Sequence, residues 1–186
     1  MAVKDKQRLS DVIDKLYATV PDCFSERLKT DTLHMTLHDL SNGNELITLE
    51  SELSENREGL YYVFQVKSID SVRIRMQTHF IFNMVNTSLV LGLCPESEED
   101  YERLMSLYKQ VNQVKQLPYL LTPHITLAYY ATAGFSAETV EKLKNLVQEL
   151  NREKWTLELY YQQFSSMNDY ENILRLCDIK QRGVER

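Results

Sequence analysis

The sequence predicts an α+β fold with mostly antiparallel sheets and flanking helices, and three observations carry that expectation. Several strand-like runs rich in Val, Ile, Phe and Tyr follow one another directly between Leu60 and Leu93. Amphipathic helical stripes are scattered among them irregularly, which is the α+β pattern rather than a βαβ alternation. No glycine-rich phosphate loop follows any strand, so dinucleotide-binding and P-loop folds find no support, and no fixed-period repeat is present. At 186 residues with 43% hydrophobic content, the chain can bury one sizeable core as one domain or two small packed lobes.

In chain order, Leu9, Val12, Ile13, Leu16, Tyr17 and Val20 recur at helical spacing and Pro21-Asp22 marks the stop. Thr32 to Leu40 alternates, placing Leu33, Met35 and Leu37 on one side of a strand and His34, Thr36 and His38 on the other, with Ser41-Asn42-Gly43-Asn44 as a turn. Residues 45–57 carry a weak helical stripe that Gly59 would end at its C′ position. Four antiparallel strands are expected next, at Leu60 to Val66, Val72 to Gln77, Phe80 to Val85 and Leu89 to Leu93. Ser97 with Asp100 resembles a capping box, and Tyr101, Leu104, Met105, Tyr108 and Val111 trace the face of the helix it opens. Tyr119 to Tyr130 reads as a strand ended by Ala133-Gly134. Ser136 opens a helix with Val140, Leu143, Leu146, Val147 and Leu150 inward, and Trp155 to Phe164 with Asn172 to Leu176 form a closing hairpin around residues 165–169.

Charge excludes some partners. Twenty-one Lys and Arg against 27 Asp and Glu give a net charge of −6, so no whole-protein positive field would draw a long nucleic acid or an anionic membrane. Cys23, Cys94 and Cys177 are odd in number and far apart, which fits inert thiols in a reducing compartment better than a disulfide framework. The N-terminal residues are charged where a secretory signal would be apolar, and the longest uncharged run, Met76 to Pro95, holds too many polar groups for a bilayer core. A cytoplasmic monomer without membrane contact and without a cofactor is the expectation.

One duplicated pattern stands out. Leu33-His34-Met35-Thr36-Leu37 and Pro123-His124-Ile125-Thr126-Leu127 share His-x-Thr-Leu in the same setting, 124 − 34 = 90 residues apart. With four His and 12 Thr in the chain, about a quarter of one His-x-Thr is expected by chance, and fewer with the following Leu required. In a strand, residues i and i+2 project from one face, so each imidazole stands beside a hydroxyl about 7 Å along the strand. Two such strands facing a cleft would converge two acid/base groups and two hydrogen-bond donors on one volume. That set suits a phosphodiester: a neutral His takes a proton from the attacking oxygen, a protonated one gives a proton to the leaving oxygen, and the hydroxyls hold the non-bridging oxygens. The chemistry requires no metal.

On these two motifs the chain resembles the 2H phosphoesterase superfamily, which includes RNA 2′,3′-cyclic phosphodiesterases and bacterial 2′–5′ RNA ligase-like proteins. The order of elements is similar over most of the chain. The resemblance implies a single bilobal domain over residues 1–186, pseudo-twofold symmetric, with one His-x-Thr strand per lobe and the active site in the groove between them. It would make His34 and His124 the catalytic pair and Thr36 and Thr126 the phosphate ligands. The implied reaction is metal-independent hydrolysis of a cyclic or 2′–5′ phosphodiester in a small nucleotide or an RNA end, or its reversal. Some RNA-processing members carry a basic residue shortly after the second motif, where this chain has Ala128-Tyr129-Tyr130.

Other residues admit two readings each. His38 shares the expected face of His34 and either lines the groove's edge or is a solvated strand-end histidine. Tyr130, expected on the face of His124 and Thr126, is a substrate contact or a packing residue. Arg73 and Arg75 supply positive charge to an anionic substrate or form a solvated face, and His79 is expected to be structural. A noncatalytic module binding a nucleotide or phosphate ester in the same groove is the alternative function. A His-based metallohydrolase is disfavoured by the lack of ligand-spaced clusters.

Overall fold

The structure is a computed structural model that describes residues 1–40, 46–66, 73–160, 162–164 and 172–175. The chain divides into two compact units, one of Met1–Met35, Arg75–Glu96 and Thr122–Leu159, the other of Thr36–Ile74, Ser97–Leu121 and Tyr160–Arg186. The class is α+β, as the sequence predicts.

In the first unit, α1 (Val3–Thr19) buries Leu9, Ile13 and Leu16 completely, the 3.6-residue stripe of an amphipathic helix. It packs on α4 (Ala137–Leu150) and on β3 (His124–Tyr129). Ser136 caps α4 by accepting from the Thr139 N–H at 3.1 Å. With β1 (Arg73–Met84), β2 (Ser88–Pro95) and β4 (Thr156–Tyr160), β3 forms a four-stranded sheet in the order β3-β2-β1-β4. The β1–β2 and β2–β3 pairs are antiparallel. Ile125 pairs with Leu91, and Leu91 with Ile81, a buried row across three strands that forms the core face.

In the second unit, α2 (Leu46–Val66) packs on α3 (Glu98–Val111). Ser97 caps α3 by accepting from the Asp100 N–H at 3.2 Å, while its hydroxyl donates to the Asp100 carboxylate at 2.5 Å. The expected Ser97 cap is present, and the Asp100 carboxylate bonds the Ser97 hydroxyl. A two-stranded antiparallel ladder joins β5 (Gln162–Phe164) to β6 (Asn172–Arg175). The expected turn at residues 165–169, the turn at Ser41-Asn42-Gly43-Asn44 and Cys177 lie outside the described residues.

Four expectations are corrected. The strand expected at Leu60 to Val66 is the last third of α2: Leu60, Val63 and Phe64 are buried at i, i+3 and i+4, and this spacing outweighs the strand propensity of the run. Gly59 therefore does not end the helix. It lets α2 approach the chain after α3, since a Cβ there would lie 2.8 Å from Val114 Cγ1. The two strands expected at Val72 to Gln77 and Phe80 to Val85 are one strand, β1, interrupted by a bulge between Thr78 and Ile81. Third, the run Tyr119 to Tyr130 is strand only from His124, because Pro123 has no N–H for the ladder and Tyr119 and Leu120 are exposed.

The fourth correction concerns Thr32 to Leu40, which is not a strand. A single 3₁₀ turn, Thr30–Thr32, is followed by one isolated antiparallel bridge, Met35 to Ile125. Residues 34–38 are all half-buried rather than alternating, so no face selects a strand register. The segment Leu33-His34-Met35 and the whole of β3 fall in the same unit, not one motif in each.

Candidate active site

The second motif is built on β3. Ile125 and Leu127 are fully buried toward the core, which turns the half-buried His124 and Thr126 to the opposite face. Register shows what shares that face: Gly92 lies opposite His124, Val90 opposite Thr126, and Ser88 opposite Tyr129. Leu127 is skipped by a bulge between these pairs. The bulge shifts the alternation by one residue. Tyr129, 38% exposed, therefore joins the face of His124 and Thr126, and the expectation that Tyr130 does so is corrected. Tyr130 instead bridges Phe24, stacks on its ring at 5.9 Å between centroids and meets Phe135 at 5.5 Å. Burial, with the Cys23 thiol beside it, raises the Tyr130 phenol above its ordinary range.

The first motif reaches β3 through the Met35 to Ile125 bridge. Antiparallel geometry puts the residue before one bridge partner opposite the residue after the other, so His34 faces Thr126. His34 and His124 are then diagonal neighbours, with backbones about 7–8 Å apart. Thr36 is half-buried and is the first residue of the second unit.

The two imidazoles are held in the same way. His34 Nδ1 lies 2.7 Å from the Thr32 carbonyl oxygen, and His124 Nδ1 lies 2.6 Å from the Thr122 carbonyl oxygen. In each case the partner is the backbone two residues upstream. A carbonyl only accepts, so each Nδ1 carries a hydrogen and each neutral ring has its basic lone pair on Nε2. This is the tautomer that general acid/base chemistry at Nε2 requires. The Thr32 carbonyl is presented by the 3₁₀ turn, in which the Leu33 N–H donates to Thr30 O at 3.3 Å and the Thr32 hydroxyl donates to Lys29 O at 2.7 Å.

The remaining expected site residues are placed elsewhere. His38 belongs to the second unit and is half-buried rather than solvated. Its Nε2 donates to Asn112 Oδ1 at 3.2 Å, an oxygen that also accepts from the Leu117 N–H, and its ring lies 5.9 Å from that of Tyr108. The bond to Asn112 leaves the buried His38 Nδ1 as an acceptor with no partner among the described residues. Arg75 is ion-paired with Glu96 at 3.2 Å, and Arg73 lies over the Tyr160 ring at 5.5 Å. The charge of Arg75 is thus matched locally. Among the described residues no cluster of three His, Cys, Asp or Glu side chains is arranged to hold a metal ion. None of the described helices is long and apolar enough to cross a membrane.

Residues not anticipated from the sequence are Tyr129, Gly92 and the Phe80–Phe82 pair, all brought to the histidine face by strand register. Two bulges, at His79-Phe80 and at Leu127, decide this, and neither leaves a Gly or Pro signal in the sequence.

No family model matches the chain, and no curated protein matches it. Among solved structures, the crystal structure of TT0787 of Thermus thermophilus is similar at 15% identity, covering 91% of this chain and 90% of that one with a TM-score of 0.46.

Proposed function

We propose that the chain is a phosphodiesterase of the 2H type, hydrolysing a cyclic or 2′–5′ phosphodiester in a small nucleotide or an RNA end. The observation that supports this most is the matched pair of imidazoles: two histidines from the duplicated pattern, each with Nδ1 bonded to the carbonyl two residues upstream, joined through one bridge. Inert surface histidines have no reason to share a tautomer-setting bond across 90 residues of sequence.

In the proposed reaction one neutral imidazole takes a proton at Nε2 from a water molecule. The water oxygen bonds to phosphorus, the bond from phosphorus to the 2′ or 3′ oxygen breaks, and the second imidazole, protonated, gives its Nε2 proton to that leaving oxygen. The product is a phosphomonoester and the two rings have exchanged protonation states. Thr126 donates to a non-bridging oxygen and Thr36, assigned by the sequence pattern, to the other, each stabilising charge as it grows on the phosphoryl group.

The test is incubation with 2′,3′-cyclic nucleotides and 2′–5′ linked dinucleotides, with and without excess chelator. Product formation insensitive to chelator is expected. Thermal stabilisation by the nucleotides with no product would instead establish a binding module, and loss of activity on chelation would refute the metal-independent mechanism.

A further inference from the structure

The His124 face of the sheet carries three aromatic rings that the proton transfers do not use. Phe82 pairs with Val90, which pairs with Thr126, so the Phe82 side chain is in the row of Thr126. In the adjacent row, Gly92 lies opposite His124, and on its other side the bulge puts both His79 and Phe80 against it. The three rings are contiguous, His79 to Phe80 at 4.7 Å and Phe80 to Phe82 at 5.1 Å between centroids.

Gly92 makes the arrangement possible. A Cβ there would meet Phe82 Cε1 at 3.2 Å and Phe80 O at 3.3 Å, so the ring of Phe82 leans over the glycine toward β3. The bulge itself is pinned from its far edge. Thr78 N–H donates to Trp155 O at 2.9 Å, the Trp155 N–H donates to Thr78 Oγ1 at 3.0 Å, and the Ile81 N–H donates to Asn151 Oδ1 at 2.7 Å. Such a clamp fixes the direction of the rings instead of leaving them to solvent. Phe80 remains 44% exposed, which core packing does not explain.

We propose that Phe80 and Phe82 form a stacking ledge for the base of the nucleotide whose phosphodiester lies at His34 and His124. β1 and β3 are two strands apart, about 10 Å, a span that a nucleoside phosphate bridges between its phosphorus and its base. The missing side chain of Gly92 lets the Phe82 ring lie toward β3, on the side of the phosphate. Stacking needs only a π-face, so the ledge selects nucleotides over simple phosphate esters while tolerating several bases. The inference rests on the phosphodiesterase reading for the position of the phosphate.

The experiment compares adenosine 2′,3′-cyclic phosphate with methyl riboside 2′,3′-cyclic phosphate, which has the same ring and no base. Phe82→Leu and Phe80→Leu keep apolar volume and remove the π-face. Each is expected to raise KM for the adenosine substrate about five- to a hundredfold with kcat unchanged, and to leave the methyl riboside substrate unaffected. Equal effects on both substrates, or none on either, would overturn the ledge. Equilibrium binding of adenosine 2′-phosphate to the wild-type protein and both variants separates the two proposals. Should wild type cleave neither cyclic substrate yet lose adenosine 2′-phosphate on either substitution, the phosphodiesterase reading fails and the ledge stands. Should adenosine 2′-phosphate bind wild type and variants alike, or not at all, the ledge fails.

Discussion

His34 and His124 carry the same side-chain bond on different backbones. His124 sits in a strand paired with β2 over Ser88 to Gly92, with a fully buried Ile125 beneath it. His34 follows a 3₁₀ turn, and among the described residues the chain around it pairs with β3 at one isolated bridge instead of a ladder. What the two segments share is narrower than a strand: a carbonyl two residues upstream within reach of Nδ1, and a backbone extended enough to bridge at the residue after the histidine. The His-x-Thr pattern thus encodes imidazole orientation locally, whereas sheet pairing is supplied by context.

If the segments are functionally equivalent despite this, the largest effects should match. His34→Ala and His124→Ala are each expected to lower kcat by about 10²–10⁴ on a 2′,3′-cyclic nucleotide, measured by initial rates. A large loss in one variant alone would end the equivalence. Next in size, Thr126→Val should lower kcat by about 10² while Thr126→Ser retains most activity, and Thr36→Val should behave like Thr126→Val. A silent Thr36→Val would confine the phosphate contacts to β3.

The backbones themselves should differ in protection. Amide hydrogen exchange is expected to be at least about tenfold slower at Ile125 and Leu127 than at residues 34–38, because a single bridge opens without breaking a ladder. Similar rates would show that the first segment is held more firmly than one bridge allows. A substitution under only one histidine widens the contrast. Gly92→Val presses on Phe82 and is expected to cost about 1–3 kcal/mol in urea unfolding, with its effect on turnover exceeding that of Leu33→Val.

The smallest effect concerns Tyr130, which packs away from the histidine face. Burial raises the Tyr130 phenol, so its contribution to stability is fully present below about pH 10 and is lost as pH rises through the raised value. Tyr130→Phe should flatten the alkaline fall in unfolding free energy relative to wild type. An alkaline profile identical to that of wild type would contradict the burial of the Tyr130 phenol.

Helices α1, α3 and α4 were legible because caps and apolar stripes are local: Ser97, Ser136 and the Leu9–Leu16 stripe act within a turn or two. The histidine pair was legible for the same reason. Tyr129 was not, because its face depends on a bulge at Leu127 that only pairing with β2 creates. Nor was the ledge, since His79-Phe80 reads as a break between two strands until the register shows one strand with an extra residue. Leu60 to Val66 misled through propensity, although Leu60, Val63 and Phe64 already carried the helical spacing.

The proposed chemistry stands on two imidazoles acting as one acid/base pair. Product formation from adenosine 2′,3′-cyclic phosphate by the wild-type protein, His34→Ala, His124→Ala and the double variant measures that directly. A working pair predicts turnover by wild type, a loss of at least about a hundredfold in each single variant and little further loss in the double, since either proton transfer alone is insufficient. Turnover that survives either single substitution unchanged would contradict it.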